Sequence, residues 1–177
     1  MKKIKKVLSI YLFFFLLSAI VTACCKETYR IVGGGVITAR NLQTGEIFEE
    51  STIGVIKNPF RIDWEIETTN LSGLNLIQST YASSCDQNYE NDWDITSFKV
   101  TTDREFILNG NTIQPGSNLI EIDELVHTRT YFGASVTFDE QFLNNTEFSD
   151  QIYEFKFEMK TTDGLKLEKL IKLKFEL

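Results

Sequence analysis

Cys85-Asp86-Gln87-Asn88-Tyr89-Glu90-Asn91-Asp92-Trp93-Asp94 is the stretch of this chain densest in side chains that do chemistry. Asp86, Asn88, Glu90, Asp92 and Asp94 set an oxygen donor at every second residue. Calcium takes about six to eight oxygens, which a flexible loop can deliver, so the stretch is a candidate calcium loop. It does not follow the EF-hand pattern: counted from Asp86, the turn glycine is replaced by Asn91 and the closing glutamate by Ser97. The plainer reading is a solvated acidic loop between two strands. Tyr89 and Trp93 offer a second chemistry, stacking on a sugar or peptide, against the commoner fate of aromatics that fold back on the core.

Other reactive groups lack partners at recognisable spacing. His127 is the sole histidine, with no Ser, Cys or acid placed to complete a catalytic set, and a zinc site is not expected from it. Ser83-Ser84 is not set in a nucleophile elbow. Cys85 has no basic neighbour to activate its thiol. A glycosidase needs two carboxylates across a cleft. The chain has 25 acids, but those on alternating segments fall on the polar row. Gly33-Gly34-Gly35 lacks the spacing and the following helix of a phosphate loop, and predicts instead a bulge or a close passage of two strands.

The remaining chemistry sits at the N-terminus. Residues 1–6 carry four Lys, and residues 7–21 are uncharged and largely apolar. A basic head, an apolar run of this length and a small-residue end form a secretory signal peptide. The run is short of the roughly 20 apolar residues that span a bilayer. It ends in Val21-Thr22-Ala23-Cys24, which resembles a bacterial lipobox. That resemblance implies diacylglycerol on the Cys24 sulfur and cleavage after Ala23. Residues 1–23 are then the signal, 24–27 a lipidated tether, and 28–177 one folded domain. Acyl chains in twos or threes hold a protein durably where one does not.

Cleavage there removes four Lys and no acid, and moves the formal charge from −7 to −11. So acidic a chain lacks the basic stripe that meets phosphates, which argues against nucleic acid. It equally gives no electrostatic pull toward anionic lipid headgroups. With Cys24 alkylated, Cys25 and Cys85 are the remaining thiols in an oxidising compartment, so they form the candidate disulfide. No cofactor is implied beyond the lipid and the candidate calcium.

These residues need a framework, and the chain writes it in period two. Tyr153, Phe155, Phe157 and Met159 alternate with charged residues, as do Leu165, Leu167, Ile171, Leu173 and Phe175. Alternation with one wet face is a half-buried antiparallel strand. A two-residue loop at Asp163-Gly164 would send the two apolar rows to opposite faces. A three-residue loop, with Gly164 left-handed, opposes Thr161 to Leu165 and Phe155 to Ile171 and puts both rows on one face. Lys169-Leu170 breaks the apolar row, consistent with a second bulge or the rim of the core. Phe60-Ile62-Trp64-Ile66, Thr96-Phe98-Val100 and Phe132-Ala134-Val136-Phe138 predict three more strands, with those side chains inward. Weaker strands are expected at 28–39, 45–53, 75–83, 104–108 and 118–123, with a helical turn at 122–127 as the competing form of the last. Thr44-Gly45, 70–73, 109–111 and 115–117 supply turns. Short strands at this spacing predict an all-β immunoglobulin-like antiparallel β-sandwich, with a small β-barrel as the alternative.

The double cysteine Cys24-Cys25, the segment Thr28-Tyr29-Arg30-Ile31, the central Ser84-Cys85-Asp86 and the strand Ile95–Thr101 together resemble small Bacteroidota lipoproteins, a group with no established activity to transfer. The resemblance implies an outer-membrane location. Acidic residues just after the lipid-bearing cysteine mark surface export in that group, and Lys26-Glu27 meets this in part, so both faces of the membrane stay open. The expected role is a non-catalytic binding or scaffolding module for a protein or glycan partner. The alternatives are a hydrolase whose carboxylates come together only on folding, and a fimbrial-type assembly subunit that donates or accepts a strand.

Overall fold

The computed structural model describes residues 10–15, 27–71, 87–130 and 132–176. Residues 10–15 are helical. The rest is built on thirteen strands: β1 (Glu27–Asn41), β2 (Ile47–Glu49), β3 (Ile53–Ile56), β4 (Phe60–Asn70), β5 (Gln87–Tyr89), β6 (Trp93–Thr102), β7 (Phe106–Leu108), β8 (Asn111–Ile113), β9 (Val126–Thr130), β10 (Gly133–Phe138), β11 (Thr146–Glu147), β12 (Ile152–Thr161) and β13 (Lys166–Phe175). Two helical turns interrupt them, a 3-10 turn at Leu119–Glu121 and a short α-helix at Glu140–Asn144.

Contacts divide the chain into two compact units, residues 1–30 with 69–90, and residues 31–68 with 91–177. In the first, the start of β1 pairs in parallel with β5, Glu27 opposite Gln87 and Tyr29 opposite Tyr89. The Glu90 N–H donates to the Tyr29 carbonyl at 2.8 Å, and the Leu71 N–H to that of Thr28 at 2.7 Å.

The second unit is a mainly antiparallel β-sandwich. One sheet runs β2-β1-β4-β10-β9 and the other β3-β13-β12-β6, with β3 added in parallel at its edge. Neither closes on itself, so the barrel alternative is set aside. The inward rows are those the alternation predicts. Phe60, Ile62, Trp64 and Ile66 of β4 are buried, as are Tyr153, Phe155, Phe157 and Met159 of β12. Across the interface Trp64 meets Phe157 edge-on at 6.2 Å, and Phe138 meets Phe155 at 5.6 Å. Such T-shaped pairs add about 0.5–1.5 kcal/mol each beyond the area they bury.

The β12–β13 hairpin has the three-residue loop that its facing demands. Phe155 opposes Ile171 and Met159 opposes Leu167. The Thr161 N–H donates to the Leu165 carbonyl at 2.9 Å, and Gly164 has φ +90°. No second bulge occurs at Lys169-Leu170, where pairing is continuous. Lys169 instead occupies an inward-row position and reaches Glu50 with Nζ at 2.8 Å, keeping its charge at the rim. The irregularity falls on the partner strand. Between Asp94, opposite Lys160, and Lys99, opposite Glu158, β6 carries extra residues.

Three expectations change. Residues 118–123 are not a strand: Asn118 accepts the Ile120 N–H and caps the 3-10 turn, and Leu119 plugs the core at full burial. Thr96 is exposed because the β6 irregularity lifts it from the inward row, which starts at Trp93 and resumes at Phe98. Phe132 lies outside β10 and is 52% exposed, while Ala134, Val136 and Phe138 are buried. The expected strand at 75–83 lies outside the described residues.

Candidate functional site

The acidic stretch resolves into separate roles. Glu90 faces Arg30, carboxylate to guanidinium 3.6 Å, and Tyr89 is half-buried with its ring 5.9 Å from that of Tyr29. Asp92 is exposed, with Oδ1 accepting the Trp93 N–H at 2.7 Å. Asp94 Oδ1 accepts from the Thr96 hydroxyl at 2.6 Å and the Thr96 N–H at 3.2 Å. Trp93 is buried in the sandwich core. Asn91, which the calcium pattern passes over, is itself 3% exposed and hydrogen-bonds the backbone of Ile31. Among the described residues no group of three or more His, Cys, Asp or Glu is placed to hold a metal ion. Asp86, the side chain of Asn88, and Cys24, Cys25 and Cys85 lie outside the described residues.

Gly33-Gly34-Gly35 marks a close passage of strands. Gly35 has φ +53°, and a Cβ there would lie 2.1 Å from the Glu65 carbonyl oxygen. Trp64 Nε1 donates to the Gly34 carbonyl, which satisfies a buried indole.

His127 and Arg129 face inward from β9, because they oppose Val136 and Ala134 of the buried row. Arg129 Nη1 donates to the Ile95 carbonyl at 2.8 Å, and its guanidinium lies 5.7 Å from the Phe98 ring centre. It therefore ties the edge strand of one sheet to the edge strand of the other. Inward charge on an edge strand discourages further strand pairing. His127 Nε2 accepts from Arg129 Nη2 at 3.2 Å, since a guanidinium only donates.

Several grooves among the described residues carry polar groups, and two of them lie along strands. The larger, about 590 Å³, is lined by Asp103, Arg104, Glu105, Phe106, Glu147 and Ser149 among others. Much of its polar lining is structural. Asp103 Oδ1 accepts the Glu154 N–H at 2.8 Å, and Arg104 Nε donates to the Ile152 carbonyl at 2.8 Å. The buried Tyr153 hydroxyl donates to the Glu105 carbonyl at 3.1 Å and accepts the Ser149 N–H at 2.9 Å.

The second groove, about 310 Å³, runs along the outer face of the β1-β4-β10-β9 sheet. Outward residues of β4, Arg61, Asp63 and Glu65, form one wall, and Thr128 and Thr130 of β9 the other. Small residues of β10 lie between: Gly133 opposes both Glu65 and Thr130, and Ser135 opposes both Asp63 and Thr128. Arg61 Nε is 2.8 Å from Asp63 Oδ1. Sequence reading missed this groove, since its residues are ordinary polar-row positions on four strands. No local signal marks it, since alternation assigns Phe132 to the inward row and its exposure appears only in the fold.

No family model matches the chain, and no curated protein matches it. Among the solved structures similar to it in part are the following two. One is titled BspA_C_mut, at 11% identity and TM-score 0.28, covering 78% of this chain and 45% of that one. The other is the C-terminal domain of the Streptococcus pyogenes antigen I/II-family protein AspA, at 12% identity and TM-score 0.25, covering 79% of this chain and 46% of that one. The matches thus span under half the length of those structures. At these scores the fold class rests on the strand order and facing described above.

Proposed function

We propose that this chain is a lipoprotein of the bacterial outer membrane, held by diacylglycerol on Cys24, whose sandwich serves as a non-catalytic binding or scaffolding module for an extracytoplasmic partner. The observation that carries it is Val21-Thr22-Ala23-Cys24 at the end of an uncharged run behind a basic head. A signal of that form supplies both export and a site for thioether lipidation. Support from the folded part is the polar outer groove on a rigid sheet, the kind of platform on which a recognition surface is held in register. The hydrolase alternative would draw on Asp103, Glu105 and Glu147 of the larger groove.

The test is intact mass of the chain expressed in a bacterium that processes lipoproteins, beside a Cys24→Ala control. A product beginning at Cys24 with the mass of diacylglycerol supports the proposal. A soluble, unacylated product overturns the anchor. The same spectrum, with and without reductant and alkylation, counts free thiols and reads the Cys25–Cys85 bridge. Titration with millimolar calcium, with Asp92→Ala as control, tests the acidic loop.

A further inference from the structure

We infer that the outer-face groove is a carbohydrate site for a neutral pyranose sugar. The inference rests on the chain's being a binding module and names the ligand class. Its shape follows from the register. A middle strand with the buried Gly133 and the half-buried Ser135 at these registers lies between two strands with longer outward side chains, so the sheet surface sinks into a trough. Gly133 cannot be enlarged, since a Cβ there would lie 2.0 Å from the Trp64 carbonyl oxygen. The trough therefore keeps a bare floor. Its volume of about 310 Å³ lies at the small end of ligand sites, and suits one or two sugar rings rather than a protein surface.

The lining selects the chemistry. Arg40 and Arg61 donate, Asp63 and Glu65 accept, and Thr128, Thr130 and Ser135 do both. The two guanidiniums and two carboxylates cancel, so the groove offers no net charge to a phosphate, a sulfate or a polyanion. Arg61 is held by Asp63, whereas Arg40 makes no ion pair among the described residues and keeps its donors for a ligand. A ring of hydroxyls is an uncharged ligand that uses both donors and acceptors. Its other requirement is an aromatic surface. The C–H face of a pyranose carries partial positive charge, and the face of an aromatic ring is negative. Phe132, half exposed beside Gly133, supplies that surface.

The experiment is amide-resolved NMR of the full chain in a detergent without a sugar headgroup, titrated with maltose, cellobiose, lactose and chitobiose, and with glucuronate and sialyllactose as acidic comparisons. The expected result is saturable shifts at residues 128–135 with at least one neutral disaccharide. Phe132→Ala should weaken that binding about tenfold, the worth of one aromatic contact. Ser135→Arg, which fills the trough from an outward position, should abolish it. Both side chains point away from the core, and an unchanged far-ultraviolet spectrum verifies the fold. Shifts with no neutral sugar, shifts with acidic sugars alone, or binding that both variants leave intact would each overturn the inference. The lipid mass on Cys24 is measured separately, so failure of the sugar site is distinct from failure of the anchor.

Discussion

Asn91 pairs with Ile31 as a neighbouring strand would. Its Oδ1 accepts the Ile31 N–H at 2.8 Å, and its Nδ2 donates to the Ile31 carbonyl at 3.1 Å, across sixty residues of chain. A second Nδ2 bond reaches Asp163 Oδ2 at 3.2 Å. One buried amide thus satisfies both backbone groups of a β1 residue and touches the β12–β13 loop. Buried backbone groups need partners, and here a side chain supplies them.

Asn91→Leu should therefore cost about 2–4 kcal/mol, the penalty of stranding a buried donor and acceptor together. Urea unfolding with an unchanged slope is the measurement. Asn91→Asp should be worse at neutral pH, where a carboxylate would face the Ile31 carbonyl and Asp163, and should recover part of the loss as it is protonated in acid.

Tyr153→Phe removes a hydroxyl that donates to the Glu105 carbonyl and accepts the Ser149 N–H, while leaving the ring in the core. The expected loss is about 1–3 kcal/mol, read as a lower thermal midpoint. The β-rich far-ultraviolet spectrum should be unchanged.

Gly35→Ala and Gly164→Ala separate crowding from backbone conformation. Both glycines have positive φ, but only at Gly35 would a Cβ strike backbone, 2.1 Å from the Glu65 carbonyl oxygen. Gly164 has open space around it. Gly164→Ala should cost about 1–2 kcal/mol for the left-handed conformation alone. Gly35→Ala should cost clearly more, because β1 must also move off β4. Equal losses in paired melts would remove the close-passage role assigned to the glycine run.

Lys156 and Lys174 add a small pH dependence to stability on the alkaline side. Lys156 Nζ lies 2.9 Å from Glu168 and 3.0 Å from Glu158, and hydrogen bonds first to Glu168 and then to Glu158 hold its pKa above the ordinary 10.5. Lys174 is raised likewise by its hydrogen bond to Asp150. A raised lysine adds stability below its unfolded value, and loses it as pH climbs through the folded one. Both are partly exposed and screened, so the effect is small and salt-sensitive. Melting temperature should fall above pH 10.5. Lys156→Met or added salt should flatten that fall.

Alternation is a local property, so the facing of β4, β12 and β13, and even the three-residue loop at Gly164, were legible residue by residue. A polar row opposite an apolar row leaves one register that buries both hydrophobic sets. The close passage at Gly33-Gly34-Gly35 was legible for a like reason, since side-chain-free positions in a strand signal a neighbour. Phe132 and Thr96 were misplaced because alternation was extended past the point where each strand begins or bulges. Those end points depend on β4 and β12 rather than on the flanking residues.

The sequence by itself thus determined the faces of β4, β12 and β13 and the turn between the last two, all carried by neighbours in the chain. Only the tertiary structure decided what Asn91, Arg129 and the outer groove do. Asn91 meets a residue sixty positions away. Arg129 spans from one sheet to the other to reach Ile95. The groove gathers Arg40, Arg61, Ser135 and Thr128 from four strands whose order no local pattern encodes. Strand order is settled by which apolar faces bury one another most completely, and that is a property of the whole chain.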